Sequence, residues 1–468
     1  MKLRQEEIKV NSEKPFEGDL LEREQYAKIL TQIVQNTEGG FTLSINADWG
    51  YGKTTFVKMW EKVLQKAGYQ TIYFNAWESD FVADPMMALI DGIRDGFESA
   101  DLPQEKLQKL SALLDAIINI VALLPTPNAQ LIGGAAKAVK QGVCSLLKDK
   151  NQLQKHQSYR KLIKAFKDQL TELAKELNED KQLIIFIDEL DRCRPDYAVQ
   201  MLERIKHFFA IDNIIFVLSI DKSVILESIK SIYGDIKPEG YLRRFIDLEF
   251  DLPEPKISNF IEAKFKEHNI DERFDNYSTA LVSFNKQKWE LEKTIKDCFA
   301  AQKHSLRDIE KYFNLLDIVI RSIAIKNILP ELVVFVLYLK LFDKDFYDRY
   351  KQLKFDIDEL WDAFEKKLEA SPFQPESDEY KELGKIWMMV WACYVTQWRD
   401  HQHSKEYEDL WQKLNQGETN KPFLQKHSKV ALIYLNKTEY YNVEGLYKII
   451  EMVETHFDVP AIESSIDK

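Results

Sequence analysis

The sequence predicts an α/β protein with a parallel sheet, followed by a region that is helical throughout. Two short apolar runs, Leu183 to Ile187 and Ile214 to Ile220, are bounded by polar residues and are too short for buried helices. Such runs are typical of strands that are covered on both faces. A helical pattern lies between them, and this alternation favours a parallel sheet with helices on both sides.

The other elements of the predicted sheet follow from the same patterns. A β-rich run from Phe41 to Ile45 precedes a helical pattern from Lys53 to Ala67, and Thr71 to Trp77 indicates the next strand. Strand, helix and strand in about 35 residues form a parallel βαβ unit. A leader helix is predicted from Glu22 to Gln35, and a last strand from Ile246 to Leu252.

Composition limits the classes of partner and the compartment. The 468 residues carry a net charge of −12, which restricts any nucleic-acid contact to a local basic patch. The candidate patch is the basic helix predicted from Lys148 to Lys167, with a solvated helix face as the alternative. No signal peptide is visible, and the four cysteines lack zinc or disulfide spacing, so we expect a cytoplasmic protein.

The most apolar part of the chain is a pair of segments, 110–124 and 131–147. Both fall short of the roughly 20 apolar residues that a membrane-spanning helix needs. We therefore expect a buried or amphipathic helical hairpin and no membrane partner. A membrane-surface or re-entrant hairpin is the alternative.

A glycine-rich turn joins the first strand to its helix. The segment from Ala47 to Thr54 matches the phosphate-binding pattern G-x-x-x-x-G-K-[ST], with Ala47 in place of the first glycine. Its backbone N–H groups would hold a nucleoside triphosphate, Lys53 would reach the β- and γ-phosphates, and Thr54 would bind Mg²⁺. The predicted nucleotide contacts here are Trp49, Gly50, Tyr51, Gly52, Lys53, Thr54 and Thr55. A structural glycine turn is the alternative.

Two adjacent carboxylates end the apolar run at 183–187. Asp188 would bind the Mg²⁺ shell, and Glu189 would polarise the attacking water. A solvated Asp-Glu pair at a strand end is the alternative for this motif alone. Together with the glycine-rich turn, the pair predicts a nucleoside triphosphatase, and the glutamate favours hydrolysis over passive binding.

Polar residues also end the next predicted strand. Asp221, or failing it Ser219, is a candidate to sense the γ-phosphate or the attacking water. Asp221 could equally cap the helix predicted from Lys222 to Ile232.

Several segments together resemble the KAP family of P-loop NTPases over roughly residues 15–320. They are Asp19 with Arg23, the glycine-rich turn, Phe74-Asn75-Ala76-Trp77, and the run from Ile187 to Cys193 followed by Pro195. The resemblance implies an additional-strand (ASCE-type) ATPase core with a helical insertion, here at about 85–170. It also implies ATP as the nucleotide and, for bacterial members, anti-phage defence.

Residues outside the two main motifs have roles that the resemblance implies. Arg243 or Arg244 would act as an arginine finger toward a neighbouring protomer, and Arg307 as a sensor on a helical lid. Surface or lid-helix ion pairs are the alternatives. Asp19 and Arg23 lie where related ATPases hold the adenine, and packing of the leader helix is the alternative.

Further side chains near these motifs have structural expectations. We expect Asp191 and Arg192 to shape the loop after Glu189, with contact to a partner subunit as the alternative. The indole rings of Trp49 and Trp77 are expected in the core.

The predicted organisation has four regions. They are a leader with the adenine-side helix (1–40), the P-loop core (41–255), a helical lid (256–345) and a C-terminal helical domain (346–468). The predicted function is Mg²⁺-dependent ATP hydrolysis coupled to assembly or partner action, within a protein complex and as a homo-oligomer. A slow-turnover ATP-binding scaffold and a peripheral membrane ATPase are the alternatives.

Overall fold

The computed structural model describes most of the chain in separate stretches. They are residues 10–82, 84–98, 181–206, 213–270, 288–300, 303–322, 330–371, 373–375, 377–400, 404–419, 421–438 and 443–454, with isolated positions between 105 and 175. Apart from a few of these isolated positions, the predicted apolar hairpin, most of the predicted insertion and the basic helix at 148–167 lie outside the described residues. Among the residues described, no helix is long and apolar enough to cross a membrane. The chain divides into two compact units, Gln5–Pro255 and Lys256–Lys468 with Met1–Arg4.

A parallel sheet of five strands forms the centre of the first unit. Its strands are β1 (Phe41–Asn46), β2 (Thr71–Asn75), β3 (Leu183–Asp188), β4 (Ile214–Ile220) and β5 (Leu248–Asp251). They are arranged in the order β2-β3-β4-β1-β5. Since β4 lies between β1 and β3, the sheet contains the additional strand that the resemblance implied. The predicted fold class is confirmed.

Helices cover both faces of this sheet, as the bare apolar strands predicted. They are α1 (Glu24–Asn36), α2 (Lys53–Lys66), α3 (Pro85–Glu98), α4 (Pro195–Lys206), α5 (Lys222–Tyr233) and the short α6 (Pro238–Leu242). On one face α1 and α2 pack against β1 and alternate residues of β3 and β4. On the other face α3, α4 and α5 pack against β2 and the remaining residues of those strands.

Helix α3 belongs to this sheet packing, although its residues open the predicted insertion. Gly92 makes the close approach to β2 possible, because a Cβ atom there would lie 2.5 Å from the Phe74 ring. Strand β5 is shorter than the predicted run from Ile246 to Leu252. As an edge strand it pairs with β1 alone, and only Leu248 to Asp251 lie in register.

The second unit is helical in all of its described residues. Its helices are α7 (Ile257–Glu267), α8 (Lys288–Ala300), α9 (Leu306–Ser322), α10 (Pro330–Phe342), α11 (Lys344–Lys351), α12 (Ile357–Glu369), α13 (Asp378–Asp400), α14 (Ser404–Gln416), α15 (Pro422–Lys426), α16 (Ser428–Thr438) and α17 (Val443–Glu454). One aromatic-rich core extends from Ile261 to Ile450, with buried residues on both sides of position 345.

Candidate functional site

The glycine-rich turn leaves the end of β1 and leads directly into α2. Gly50 and Gly52 have φ angles of 77° and 79°, a region that side-chain-bearing residues seldom adopt. Ala47 is not among the residues with positive φ, and its N–H donates to the carbonyl of Ile220 at 3.3 Å. The turn therefore does not need a glycine at position 47, which explains how it tolerates the departure from the pattern.

Lys53 is buried in this turn, with only 8% of its surface exposed. Its Nζ donates to the carbonyl of Ala47 at 2.5 Å and to that of Asp48 at 3.3 Å. Burial lowers the pKa of Lys53, while the carboxylate of Asp191, 3.8 Å away, opposes that shift. A buried ammonium group enclosed by carbonyl oxygens and a carboxylate is suited to exchange these partners for phosphate oxygens.

The carboxylates after β3 lie in two different environments. Asp188 is buried, and its Oδ2 accepts a hydrogen bond from the Tyr73 hydroxyl at 2.8 Å. Glu189 has a φ angle of 59°, an uncommon value for a non-glycine residue that is often found at functional sites. Burial raises the pKa of Glu189, and the guanidinium of Arg192 opposes that shift. The carboxylate of Glu189 forms an ion pair with Arg192 at 2.9 Å and accepts from Asn75 at 3.4 Å.

The residues predicted to bind Mg²⁺ supply suitable oxygen atoms. Thr54 lies in the first turn of α2, and Asp188 ends β3 two strands away. A hydroxyl and a carboxylate are ligands that Mg²⁺ accepts, with phosphates and water completing the shell. Within the described stretches, no group of three or more His, Cys, Asp or Glu could hold a metal ion.

The two sensor candidates at the end of β4 differ in their contacts. Asp221 caps α5 by accepting from the N–H of Ser223 at 3.1 Å, so the capping interpretation is confirmed. Its other oxygen accepts from the Trp49 N–H in the glycine-rich turn, also at 3.1 Å. Ser219 lies beside Asp188 in the strand register, and its buried hydroxyl has no hydrogen-bond partner in the described structure.

Arg23 connects the leader to the glycine-rich turn. Its guanidinium donates to the carbonyl of Tyr51 at 2.6 Å and to that of Pro253 at 3.2 Å, and burial lowers its pKa to about 10. Asp19 accepts from the backbone N–H of Arg23 and of Leu21. These contacts provide the packing role that was the alternative for both residues, and adenine contact stays a prediction.

The expectation that Trp49 and Trp77 are core residues is wrong. Their exposed fractions are 50% and 51%. The indole N–H of Trp49 donates to Asp191, and the Trp77 ring lies 5.4 Å from the guanidinium carbon of Arg192. An indole ring can satisfy its N–H group or attract a cation while it remains half in water, so its apolar character does not require burial.

The arginines implied by the resemblance are all exposed. Arg243 and Arg244 follow α6, and Arg244 lies 5.6 Å from the centroid of the Tyr241 ring. Arg307 is in the first turn of α9, in the second unit. Both the finger and sensor roles and the ion-pair alternatives stay predictions.

Two partners of the carboxylates were missed by reasoning from sequence. Tyr73 donates to Asp188 and Asn75 donates to Glu189, both from strand β2. A signal was present, since polar residues that end neighbouring parallel strands meet at the same edge of the sheet. This signal can be used only when β2 and β3 are known to be neighbours, and the order of the strands in the sheet decides that.

Comparisons with known proteins identify a family. A family model described as the KAP family P-loop domain matches residues 23–323, more than half of the chain. An uncharacterized protein of Methanocaldococcus jannaschii, MJ0182, is 45% identical over 56 residues, which are 12% of this chain. The chain covers 29% of that relative's length.

A solved structure adds a weak similarity. It is titled as the Aeropyrum pernix ORC2 protein in ADPNP and ADP complexes, and it has 13% sequence identity and a TM-score of 0.33. The alignment covers 93% of this chain and 94% of that chain, but a score this low supports no conclusion about this chain. The family match instead agrees with the five-stranded sheet and the buried Lys53 described above. The chain therefore belongs to the KAP family of P-loop NTPases.

Proposed function

We propose that this NTPase binds ATP with Mg²⁺ and hydrolyses it at the carboxyl ends of β1 and β3. The observation that carries the proposal is the buried ammonium of Lys53, which shares this edge of the sheet with Asp188 and Glu189. The backbone N–H groups of the turn and Lys53 would bind the phosphates. Mg²⁺, held by Thr54 and Asp188, would neutralise charge on the phosphate oxygens.

Glu189 would act as the general base in this reaction. Its carboxylate would accept a proton from the attacking water as the oxygen–phosphorus bond forms, and the bond from the γ-phosphorus to the leaving ADP oxygen would break. Ser219 and Asp221 are the candidates to report the presence of the γ-phosphate. A buried hydroxyl with no partner, as at Ser219, is available for such a hydrogen bond.

A second candidate, a slow-turnover regulatory scaffold, is favoured by one contact. The ion pair between Glu189 and Arg192 occupies the carboxylate that would have to accept the water proton. Until Arg192 moves, the base would be engaged and turnover would be slow. The two candidates therefore share the nucleotide site and differ in the rate of hydrolysis.

Replacing Glu189 with glutamine tests the hydrolytic proposal. We expect phosphate release from ATP to fall by about 10²–10⁴-fold, the usual contribution of a positioned base, while ATP affinity is retained. Phosphate release under steady-state conditions, with ATP binding measured separately, gives both quantities.

Glu78→Gln is the matched control, because Glu78 accepts from the same Asn75 at 2.9 Å without ending a buried strand. Its phosphate release should equal that of the wild type. If wild-type release is no faster than that of Glu189→Gln, the protein is the scaffold and not the hydrolase.

Assembly coupled to ATP is the finer part of the proposal. Arg243 and Arg244 are exposed, so a neighbouring protomer could contact them. An arginine there would neutralise charge developing on the γ-phosphate in trans. Protein partners and a role in bacterial anti-phage defence belong to the same proposal, on the strength of the family.

ATP is expected to raise the molar mass of the Glu189→Gln protein, because that variant keeps the nucleotide bound. Multi-angle light scattering, with and without ATP, measures this directly. When Arg243→Ala and Arg244→Ala are added to Glu189→Gln, the molar mass with ATP should equal the molar mass without ATP. A mass that ATP leaves unchanged in Glu189→Gln would contradict nucleotide-driven assembly.

A further inference from the structure

Asp191 is a buried carboxylate that contacts the glycine-rich turn twice. It lies in the short turn Leu190–Arg192 that follows Glu189, and only 5% of its surface is exposed. Its Oδ2 accepts a hydrogen bond from the Trp49 indole, 142 positions away in sequence, and lies 3.8 Å from the Nζ of Lys53. Both partners therefore belong to the loop that would bind phosphate.

These contacts conflict with the charge of the expected ligand. A nucleoside diphosphate or triphosphate would bring several negative charges to Lys53, beside a carboxylate that already faces this ammonium. Phosphate oxygens bound to Lys53 would be repelled by the nearby negative charge of Asp191, and burial weakens the screening of this repulsion by water. The phosphates and Asp191 therefore compete for the same cation.

Trp49 is the side chain that would move if phosphates displaced Asp191 from Lys53. Its ring is half exposed, and its described polar contacts are the indole N–H bond to Asp191 and the backbone N–H bond to Asp221. When Asp191 withdraws from Lys53, the indole loses its anchor. The exposed side of the ring leaves it room to reorient.

We propose that Asp191 is a latch on the glycine-rich turn: it holds Trp49 and Lys53, and a nucleoside polyphosphate must displace it in order to bind Lys53. The proposal rests on nucleotide binding at Lys53, as inferred above. Asp191 is thus a positioning residue that acts through Lys53 and the loop. Its effect is to lower the affinity of the resting protein for its nucleotide.

Asp191→Asn tests the latch by removing the charge while keeping the shape. The asparagine oxygen can still accept from the Trp49 indole, so the loop should keep its structure. We expect ADP to bind about tenfold more tightly to this variant. A tenfold gain follows if Asp191 holds Lys53 in about nine-tenths of the wild-type molecules, because only the remaining tenth can then bind ADP. Competition of ADP against a fluorescent ADP, followed by anisotropy without added metal, measures the affinity.

Asp196→Asn is the matched control, because Asp196 is a partly exposed aspartate a few residues further on, paired with Arg194 at 3.8 Å. Its ADP affinity should equal that of the wild type. If wild-type protein binds ADP and Asp191→Asn binds no more tightly, the latch is refuted and nucleotide binding stands. If neither protein binds ADP, the latch is refuted, and the proposed function fails as well when neither protein binds ATP with Mg²⁺.

A second measurement needs no variant at position 191. The fluorescence emission of Trp49 is obtained as the difference between the tryptophan emission spectra of the wild type and of Trp49→Phe. ADP should shift this emission, because the indole exchanges a buried carboxylate partner for another environment. An emission that saturating ADP leaves unchanged would overturn the latch even if Asp191→Asn failed to fold.

Discussion

Replacing Lys53 with methionine is expected to weaken ATP binding by about a thousandfold, the largest effect on affinity that we predict. Methionine keeps the apolar stem but removes the ammonium that would bind two phosphate groups. Two hydrogen bonds to charged groups at about 2 kcal/mol each give about 4 kcal/mol, and each 1.4 kcal/mol is a factor of ten. Titration calorimetry of ATP with Mg²⁺ measures the affinity.

Lys62→Met is the control for Lys53→Met, since Lys62 is on the same helix. Lys62 donates to Gln65 at 2.9 Å and has no contact with the glycine-rich turn. Its ATP affinity should match that of the wild type, and far-ultraviolet circular dichroism should show that both variants are folded. Wild-type affinity in Lys53→Met would place the nucleotide site elsewhere in the molecule.

Trp60→Ala is expected to lower the free energy of unfolding by about 3–5 kcal/mol, the range for a large aromatic side chain removed from a core. The Trp60 ring is fully buried between α2 and the sheet, with its edge against Phe186 at a centroid distance of 5.5 Å. Its indole N–H donates to Thr31 of α1 at 3.0 Å. Trp60 thereby holds the helix that carries Lys53 and Thr54, and urea denaturation measures the loss.

Two further variants separate the contribution of the Trp60 hydrogen bond from that of the buried ring. Thr31→Val keeps the Trp60 ring but removes the hydroxyl that accepts from its indole and donates to the Ala27 carbonyl at 2.7 Å. It should cost about 1–3 kcal/mol, because the buried indole N–H loses its partner. Trp77→Ala removes an exposed indole that lies near Arg192, and its loss should be below about 1 kcal/mol. Equal losses for the two tryptophans would contradict the assignment of Trp60, and not Trp77, to the core.

Local patterns predicted the strands well where burial is complete. Strands β3 and β4 are predicted within one residue because polar residues bound each run of consecutive apolar residues. At the edge of the sheet this signal is weaker, because β5 has exposed residues and one neighbouring strand. The predicted strand, 246–252, was therefore longer than the strand in the structure, Leu248–Asp251.

The same pattern failed for the aromatic rings beside the site. Trp49 and Trp77 are in apolar or glycine-rich contexts, and their hydropathy predicted burial. Their surroundings instead contain charged groups from other parts of the chain, Asp191 and Arg192, which stabilise a half-exposed indole. No local window of sequence contains both members of these pairs.

The sequence by itself determined the glycine-rich turn and the position of the carboxylates Asp188 and Glu189, because each motif consists of consecutive residues at a strand end. Only the tertiary structure decided what these groups contact: Lys53 faces Asp191, Glu189 is held by Arg192 and Asn75, and Arg23 closes the leader onto the turn. The reason is the order of the sheet. Strands distant in sequence end at one edge, and their side chains meet only after the chain has folded.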